Sequence, residues 1–235
     1  MHNPIIAALD VPNLDRALGL AQKLRGVVPT VKIGSELFTS VGPEVVRQLR
    51  GNGLGVFLDL KFHDIPNTVK SSVAAATRLN VQMVTVHCSG GGEMLKAAEA
   101  AAQETARTTG LEPPLVLGVT VLTSMDQQAL SQIGVSSSVE AHVERLAKLA
   151  IDAGLRGLVC SPLELPLLRK ALPASVRLVT PGIRAAGDQA GDQRRTMSAR
   201  DAIAAGADWL VIGRPICAAP NPRVAAEQIL ASLHA

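Results

Sequence analysis

Aromatic side chains are nearly absent: the 235-residue chain has three phenylalanines, one tryptophan and no tyrosine, 2% in all. Single-stranded nucleic-acid binders stack bases on aromatic platforms, and this chain cannot supply them. Nor is there an excess of one charge. The formal net charge of +3 comes from 23 basic and 20 acidic residues scattered among one another, without the dense basic stripe that follows a phosphate backbone. Cysteine is scarce, with Cys88, Cys160 and Cys217 forming no CxxC pair. An odd, unpaired set argues against a disulfide framework and a zinc site, and fits reduced thiols in a cytoplasmic protein. No stretch of about 18 apolar residues occurs, and Met1-His2-Asn3-Pro4 lacks the basic start of a secretory leader, so neither a membrane span nor export is expected. Aliphatic residues fill the gap: 47% of the chain is hydrophobic against 18% charged, which excludes disorder and is ample for a core.

Short β-branched runs alternate with helical patterns from end to end, the mark of βα units around a parallel sheet. The strands are expected at Ile5–Leu9, Val31–Ile33, Gly55–Leu60, Met83–His87, Leu115–Leu122, Gly157–Cys160, Val176–Thr180 and Trp209–Ile212. Helices are expected near Leu14–Leu24, Pro43–Arg50, Asn67–Leu79, Glu93–Thr105, Val139–Ala153, Leu163–Ala171, Ala199–Ala205 and Arg223–Leu233. Ser161-Pro162-Leu163-Glu164 reads as a capping box, Ser137 with Glu140 repeats its spacing, and Gly110, Gly154 and Gly206 stand where helices should stop. Val139, Val143, Leu146 and Ala150 recur at helical spacing. No linker divides the chain, so residues 1–235 are expected to form a single (β/α)8 barrel, with an open doubly wound sheet as the rival.

The chemistry concentrates in Phe57-Leu58-Asp59-Leu60-Lys61-Phe62-His63-Asp64-Ile65-Pro66-Asn67-Thr68. Side chains alternate along a strand, which sends Leu58 and Leu60 toward the helices and Asp59 and Lys61 toward the axis. Charges projecting into a core are costly unless paired. A structural ion pair is the plainer explanation of one Asp-x-Lys, but Asp10 ends the first strand and Lys32 sits in the second. Alternating charges thus occupy the active end of three consecutive strands, a setting that suits a lysine delivering a proton. Thr180-Pro181-Gly182-Ile183-Arg184 and Ile212-Gly213-Arg214-Pro215 follow the last two strands, the loops that bind phosphate in many barrels. Residues 185–195, with Asp188, Gln189, Asp192 and Gln193, form a loop long enough to be a lid. Arg194-Arg195 reads as its solvated face. Gly90-Gly91-Gly92 reads as a turn, and His63 and His87 as structural or solvent-facing residues without metal-ligand spacing.

Asp59-x-Lys61-x-x-Asp64-Ile65-Pro66-Asn67-Thr68 resembles the signature of the orotidine 5'-phosphate decarboxylase family. Val31-Lys32-Ile33-Gly34-x-Glu36, the Gly118–Met125 stretch, the Thr180–Arg184 loop, Gly191-Asp192-Gln193-Arg194-Arg195 and Val211–Pro215 extend the resemblance to its bacterial form over essentially the whole chain. The resemblance implies decarboxylation of orotidine 5'-phosphate to uridine 5'-phosphate in pyrimidine biosynthesis, without metal or other cofactor. It implies that Asp10 and Lys32 contact the ribose hydroxyls and that Lys32, Asp59, Lys61 and Asp64 form a charged tetrad with Lys61 as proton donor. It further implies that Ser124 or Thr123 addresses the pyrimidine edge and that Pro181, Arg184, Gln193, Gly213 and Arg214 hold the phosphate. Asp64 and Thr68 would reach the neighbouring site of a homodimer. One small departure is Cys88 after His87, where the family more often has alanine. Two rivals remain. Magnesium-dependent siblings acting on keto-sugar phosphates share the third strand but carry a glutamate where Lys32 stands, and a silent phosphate-binding barrel would have no need of the tetrad.

Overall fold

In the computed structural model, which describes residues 3–184 and 196–233, parallel strands close on themselves in sequence order. They are β1 (Ile5–Ala8), β2 (Thr30–Gly34), β3 (Gly55–Phe62), β4 (Met83–His87), β5 (Leu115–Val119), β6 (Gly157–Val159), β7 (Arg177–Thr180) and β8 (Trp209–Ile212). Closure is explicit where β1 pairs with β8, Ile5 opposite Leu210 and Ala7 opposite Ile212. A (β/α)8 barrel is therefore present, and the open doubly wound sheet is excluded.

The period of two sorts each strand into two cores. Ile5, Ala7, Val31, Ile33, Val56 and Leu58 pack outward under the helices, while Ile6, Ala8, Phe57, Met83, Leu117, Val179 and Val211 fill the axis. Both faces are buried, so the strands read as continuous apolar runs, as expected of an all-parallel sheet. Continuing the inward rows toward the C-terminal ends brings Asp10 above Ala8, Asp59 above Phe57 and Thr85 above Met83. The axis is apolar at one end and polar at the other.

Several boundaries move, for physical reasons. The fifth strand stops at Val119 rather than Leu122, because the Thr120 hydroxyl turns to donate to Val159 O at 3.4 Å and the chain closes a turn from Met125 N–H to Leu122 O at 2.9 Å. The helix over Val139–Asp152 is capped by Ser138, whose oxygen accepts from Ala141 N–H, and not by Ser137. The capping box at Ser161 is present, but on a 3-10 turn that leads into the helix Leu165–Ala171. The Gly92–Thr109 helix outruns its expected end until Gly110, left-handed at φ 69, terminates it. Short helices at Ser35–Val41, Gln127–Gln132 and Arg214–Cys217 were not expected. With two turns or fewer, they show no periodicity to read.

Candidate active site

A cavity of about 500 Å³ opens at the C-terminal end of the barrel. Its polar wall is Asp10, Lys32, Asp59 and Lys61, and facing residues from the last two strand loops include Pro181, Arg184, Gly213 and Arg214. Thr123, Val121 and Leu122 come from the segment after β5, and Ala8, Phe57, Val119, Val159 and Val211 form the floor. Asp10, Lys32, Asp59, Lys61, Thr123, Pro181, Arg184, Gly213 and Arg214, all expected at the site, line this one cavity.

The charges form a chain of ion pairs. Lys61 Nζ donates to both oxygens of Asp59, at 2.9 and 2.8 Å. Lys32 Nζ lies 3.7 Å from Asp59 Oδ2 and donates to Asp10 Oδ1 at 2.9 Å. The Lys32 and Asp59 side chains are only 11% and 13% exposed, whereas Lys61 is 35% exposed and Asp10 59%. Charge is thus buried at the centre and reachable at the ends, with each buried ion paired, as burial demands. The close packing extends to the backbone: a Cβ on Gly34 would stand 3.2 Å from Lys32 Nζ and 3.4 Å from Asp10 Oδ1.

Strand alternation alone does not account for Lys61. Between Leu58 opposite Val84 and Phe62 opposite Val86 the register shifts, so four steps along β3 meet two along β4. Within this bulge Lys61 takes φ 52, a left-handed backbone that costs a non-glycine residue roughly 1–2 kcal/mol. Leu60 still packs against the outer core, and both charges still enter the cavity. Thr85 was not singled out from the sequence. It is fully buried on β4, accepts the Lys61 N–H at 2.8 Å and donates to Asp59 Oδ1 at 3.0 Å. A polar residue at an inward position of an apolar strand was the signal that could have found it.

Asp64 and Thr68 are exposed and do not line the cavity of their own chain. Asp64 Oδ1 accepts the Ile65 N–H at the start of the Pro66–Arg78 helix. Of the alternatives after β5, Thr123 lines the cavity and Ser124 is exposed outside it. Gln193 and the expected lid at 185–195, Arg194 and Arg195 included, lie outside the described residues. Next to that segment, Ile183 bridges Met197, and Gly182 takes a positive φ of 82.

His63 and His87 meet with ring centroids 5.3 Å apart at the rim. Burial lowers the His87 pKa, and the nearby His63 and Lys61 lower it further against the opposing pull of Asp59. Among the described residues no group of three or more His, Cys, Asp and Glu is arranged to hold a metal. Burial pushes the Cys88 and Cys217 thiols up to about 12, away from the reactive thiolate form. No helix among the described residues is long and apolar enough to cross a membrane.

The sequence profile of the Orotidine 5'-phosphate decarboxylase / HUMPS family matches residues 3–229. An orotidine 5'-phosphate decarboxylase of Vibrio cholerae serotype O1 is 51% identical over 234 residues, covering 99% of this chain and 100% of that protein. The crystal structure of orotidine 5'-phosphate decarboxylase from Lactobacillus acidophilus superposes with a TM-score of 0.88 at 35% identity, over 100% of both chains. A conserved protein of uncharacterized function from Geobacillus kaustophilus superposes at 0.87 with 33% identity, over 98% of this chain and 100% of that one.

Proposed function

The chain belongs to the orotidine 5'-phosphate decarboxylase / HUMPS family, and from that premise we propose that it converts orotidine 5'-phosphate to uridine 5'-phosphate and CO2 in pyrimidine biosynthesis. The observation that carries the reading is Lys61 Nζ held 2.8 Å from Asp59 in a cavity whose opposite loops present Arg184 and Arg214. One end is suited to a reacting ring and the other to a phosphate.

The bond from C6 of the pyrimidine to its carboxylate breaks, CO2 departs, and the electron pair stays on C6. The Lys61 ammonium, held in the cavity by Asp59, stabilises the negative charge and then transfers its proton to C6. The neutral amine regains a proton from water. Lys61 supplies in one group the positive charge that a metal or an electron-sink cofactor supplies elsewhere, so the reaction is proposed to run without either. Asp59 and Lys32 fix the ammonium; Lys32 and Asp10 also meet the ribose hydroxyls. Thr123 or Ser124 addresses the pyrimidine edge, and Pro181, Arg184, Gln193, Gly213 and Arg214 hold the phosphate. Arginine suits this last task because its planar fork matches phosphate oxygens. Binding energy from that remote group is expressed at the reacting end.

The exposure of Asp64 and Thr68 supports a homodimer in which they complete the partner's site. Cys88 and Cys160 are buried thiols outside any disulfide, which supports a cytoplasmic location. The rival reading is a magnesium-dependent sibling acting on a keto-sugar phosphate, and magnesium requires oxygen ligands. Lys32, paired at 2.9 Å with Asp10, puts an ammonium where such a ligand belongs and favours the decarboxylase. The test is to mix the purified protein with orotidine 5'-phosphate in excess chelator and follow the loss of ultraviolet absorbance. Full activity is expected; activity that vanishes and returns with Mg²⁺ would overturn the reading in favour of the sugar-phosphate branch.

A further inference from the structure

Among the described residues, Lys61 and Asn80 are the non-glycine positions with positive φ, at 52 and 58. Asn80 lies in the turn after a helix, where the short amide tolerates a left-handed backbone. Lysine has no such local compensation, and a conformation of this kind persists only where its surroundings over-determine it. At Lys61 the surroundings include the Thr85 hydroxyl.

That hydroxyl has one proton to give and lone pairs to receive. Its proton goes to Asp59 Oδ1 at 3.0 Å, and it receives the Lys61 N–H at 2.8 Å. Asp59 in turn accepts from Lys61 Nζ. One oxygen therefore ties the backbone of the lysine to the carboxylate that holds the same lysine's side chain, across the point where the β3–β4 register shifts. Thr85 is 0% exposed and does not line the cavity. A valine would fill the same space, so packing alone does not call for a hydroxyl here.

We propose that Thr85 is a positioning residue for decarboxylation, its hydroxyl locking the bulge of β3 so that the Lys61 ammonium and the Asp59 carboxylate enter the cavity in one fixed geometry. The proposal rests on the decarboxylase reading for its consequence in catalysis, though not for the hydrogen bonds themselves. Thr85 touches no reacting atom and acts through Lys61 and Asp59. A displacement of about 1 Å at a reacting group lowers rate on the order of 100-fold. The phosphate end lies on β7 and β8 and keeps its grip.

The experiment uses the full-length protein as Thr85→Val, which keeps shape and loses the hydroxyl, and Thr85→Ser, which keeps the hydroxyl. Two quantities are read: kcat and KM for orotidine 5'-phosphate, and amide hydrogen exchange at Lys61 by NMR. Thr85→Val should lower kcat about 100-fold with KM nearly unchanged, and the Lys61 amide should exchange faster. Thr85→Ser should restore both, which a packing role could not explain. Should the valine variant fail to fold, Thr85→Ala carries the same expectations. Wild-type kcat without the hydroxyl, or a Lys61 amide equally protected in both variants, would overturn the proposal. A wild-type protein inert toward orotidine 5'-phosphate would instead strike the functional reading, and the exchange measurement would still decide whether Thr85 holds Lys61.

Discussion

At the N-terminal ends of β7 and β8, Asp208 lies between Arg169 and Arg177 with N···O distances of 2.6 and 2.9 Å. At the opposite end of the barrel, Asp59 lies between Lys61 and Lys32 at 2.8 and 3.7 Å. Each network is a carboxylate flanked by two cations, yet their surroundings differ. Arg169 spends its fork on backbone, donating to Gly206 O and Val176 O as well as to Asp208. Asp208 also accepts the Leu178 N–H at 2.7 Å, and Arg177 sits 6.0 Å from the centre of the Trp209 ring. That lower network joins three chain segments through arginine's rigid donor geometry. The upper one uses lysines, compact charges on flexible stems, lines a cavity and includes a left-handed backbone at Lys61. An Asp between cations is thus neutral evidence in itself. Saturation by main-chain carbonyls marks a fastening, and ammonium groups facing a cavity mark chemistry.

Lys61→Ala should separate the two most sharply. It removes the group proposed both to donate the proton and to stabilise the carbanion, so turnover should fall by more than roughly 10⁴-fold, beyond a single acid–base contribution, with circular dichroism unchanged. Asp64→Ala should also be inactive. Mixing the two and allowing subunits to exchange should restore activity to about a quarter of wild type, because a two-fold dimer leaves one unlesioned site in each mixed pair. Mixed dimers seen by mass spectrometry without recovered activity would mean that each site draws on a single chain.

Arg214→Ala should have a smaller effect, on the order of 100-fold in kcat/KM for the nucleotide, given the strength of charge-assisted phosphate contacts. The phosphate-free nucleoside should scarcely respond. Equal losses on both substrates would move Arg214 to the reacting end. Smallest in activity should be Asp208→Asn: turnover at moderate temperature unchanged, stability lower by about 2–3 kcal/mol because two cations lose a half-buried partner. For a chain of this size that is a fall of roughly 5–10 °C in Tm.

Much of the upper network was legible in the sequence. The barrel fold follows from the alternation of strand and helix patterns, and the inward rows from the period of two, which places Lys32 and Asp59 correctly. Lys61 reached the expected face by another route, since its bulge and positive φ depend on register with β4 and cannot be seen within β3 alone. Thr85 shares the inward face with Met83 and His87, but an uncharged threonine in a strand is common enough that parity alone does not mark it. Asp64 and Thr68 lie outside the chain's own cavity; strand and helix patterns put Asp64 past the strand end at a helix entrance, and the proposed role in a partner's site rests on the family resemblance alone. The shift of the cap from Ser137 to Ser138 shows the usual limit: neighbouring serines offer the same chemistry, and backbone geometry decides between them.

The contrast between the two networks is tested most directly by the Tm of Lys61→Ala measured beside that of Asp208→Asn. Lys61 is proposed to serve chemistry, and its loss leaves Asp59 with Lys32 at 3.7 Å and the Thr85 hydroxyl as partners, so Lys61→Ala should leave Tm near the wild-type value while turnover disappears. If Lys61→Ala instead lowers Tm as far as Asp208→Asn does, and turnover falls only with the folded fraction, the upper network is a fastening like the lower one.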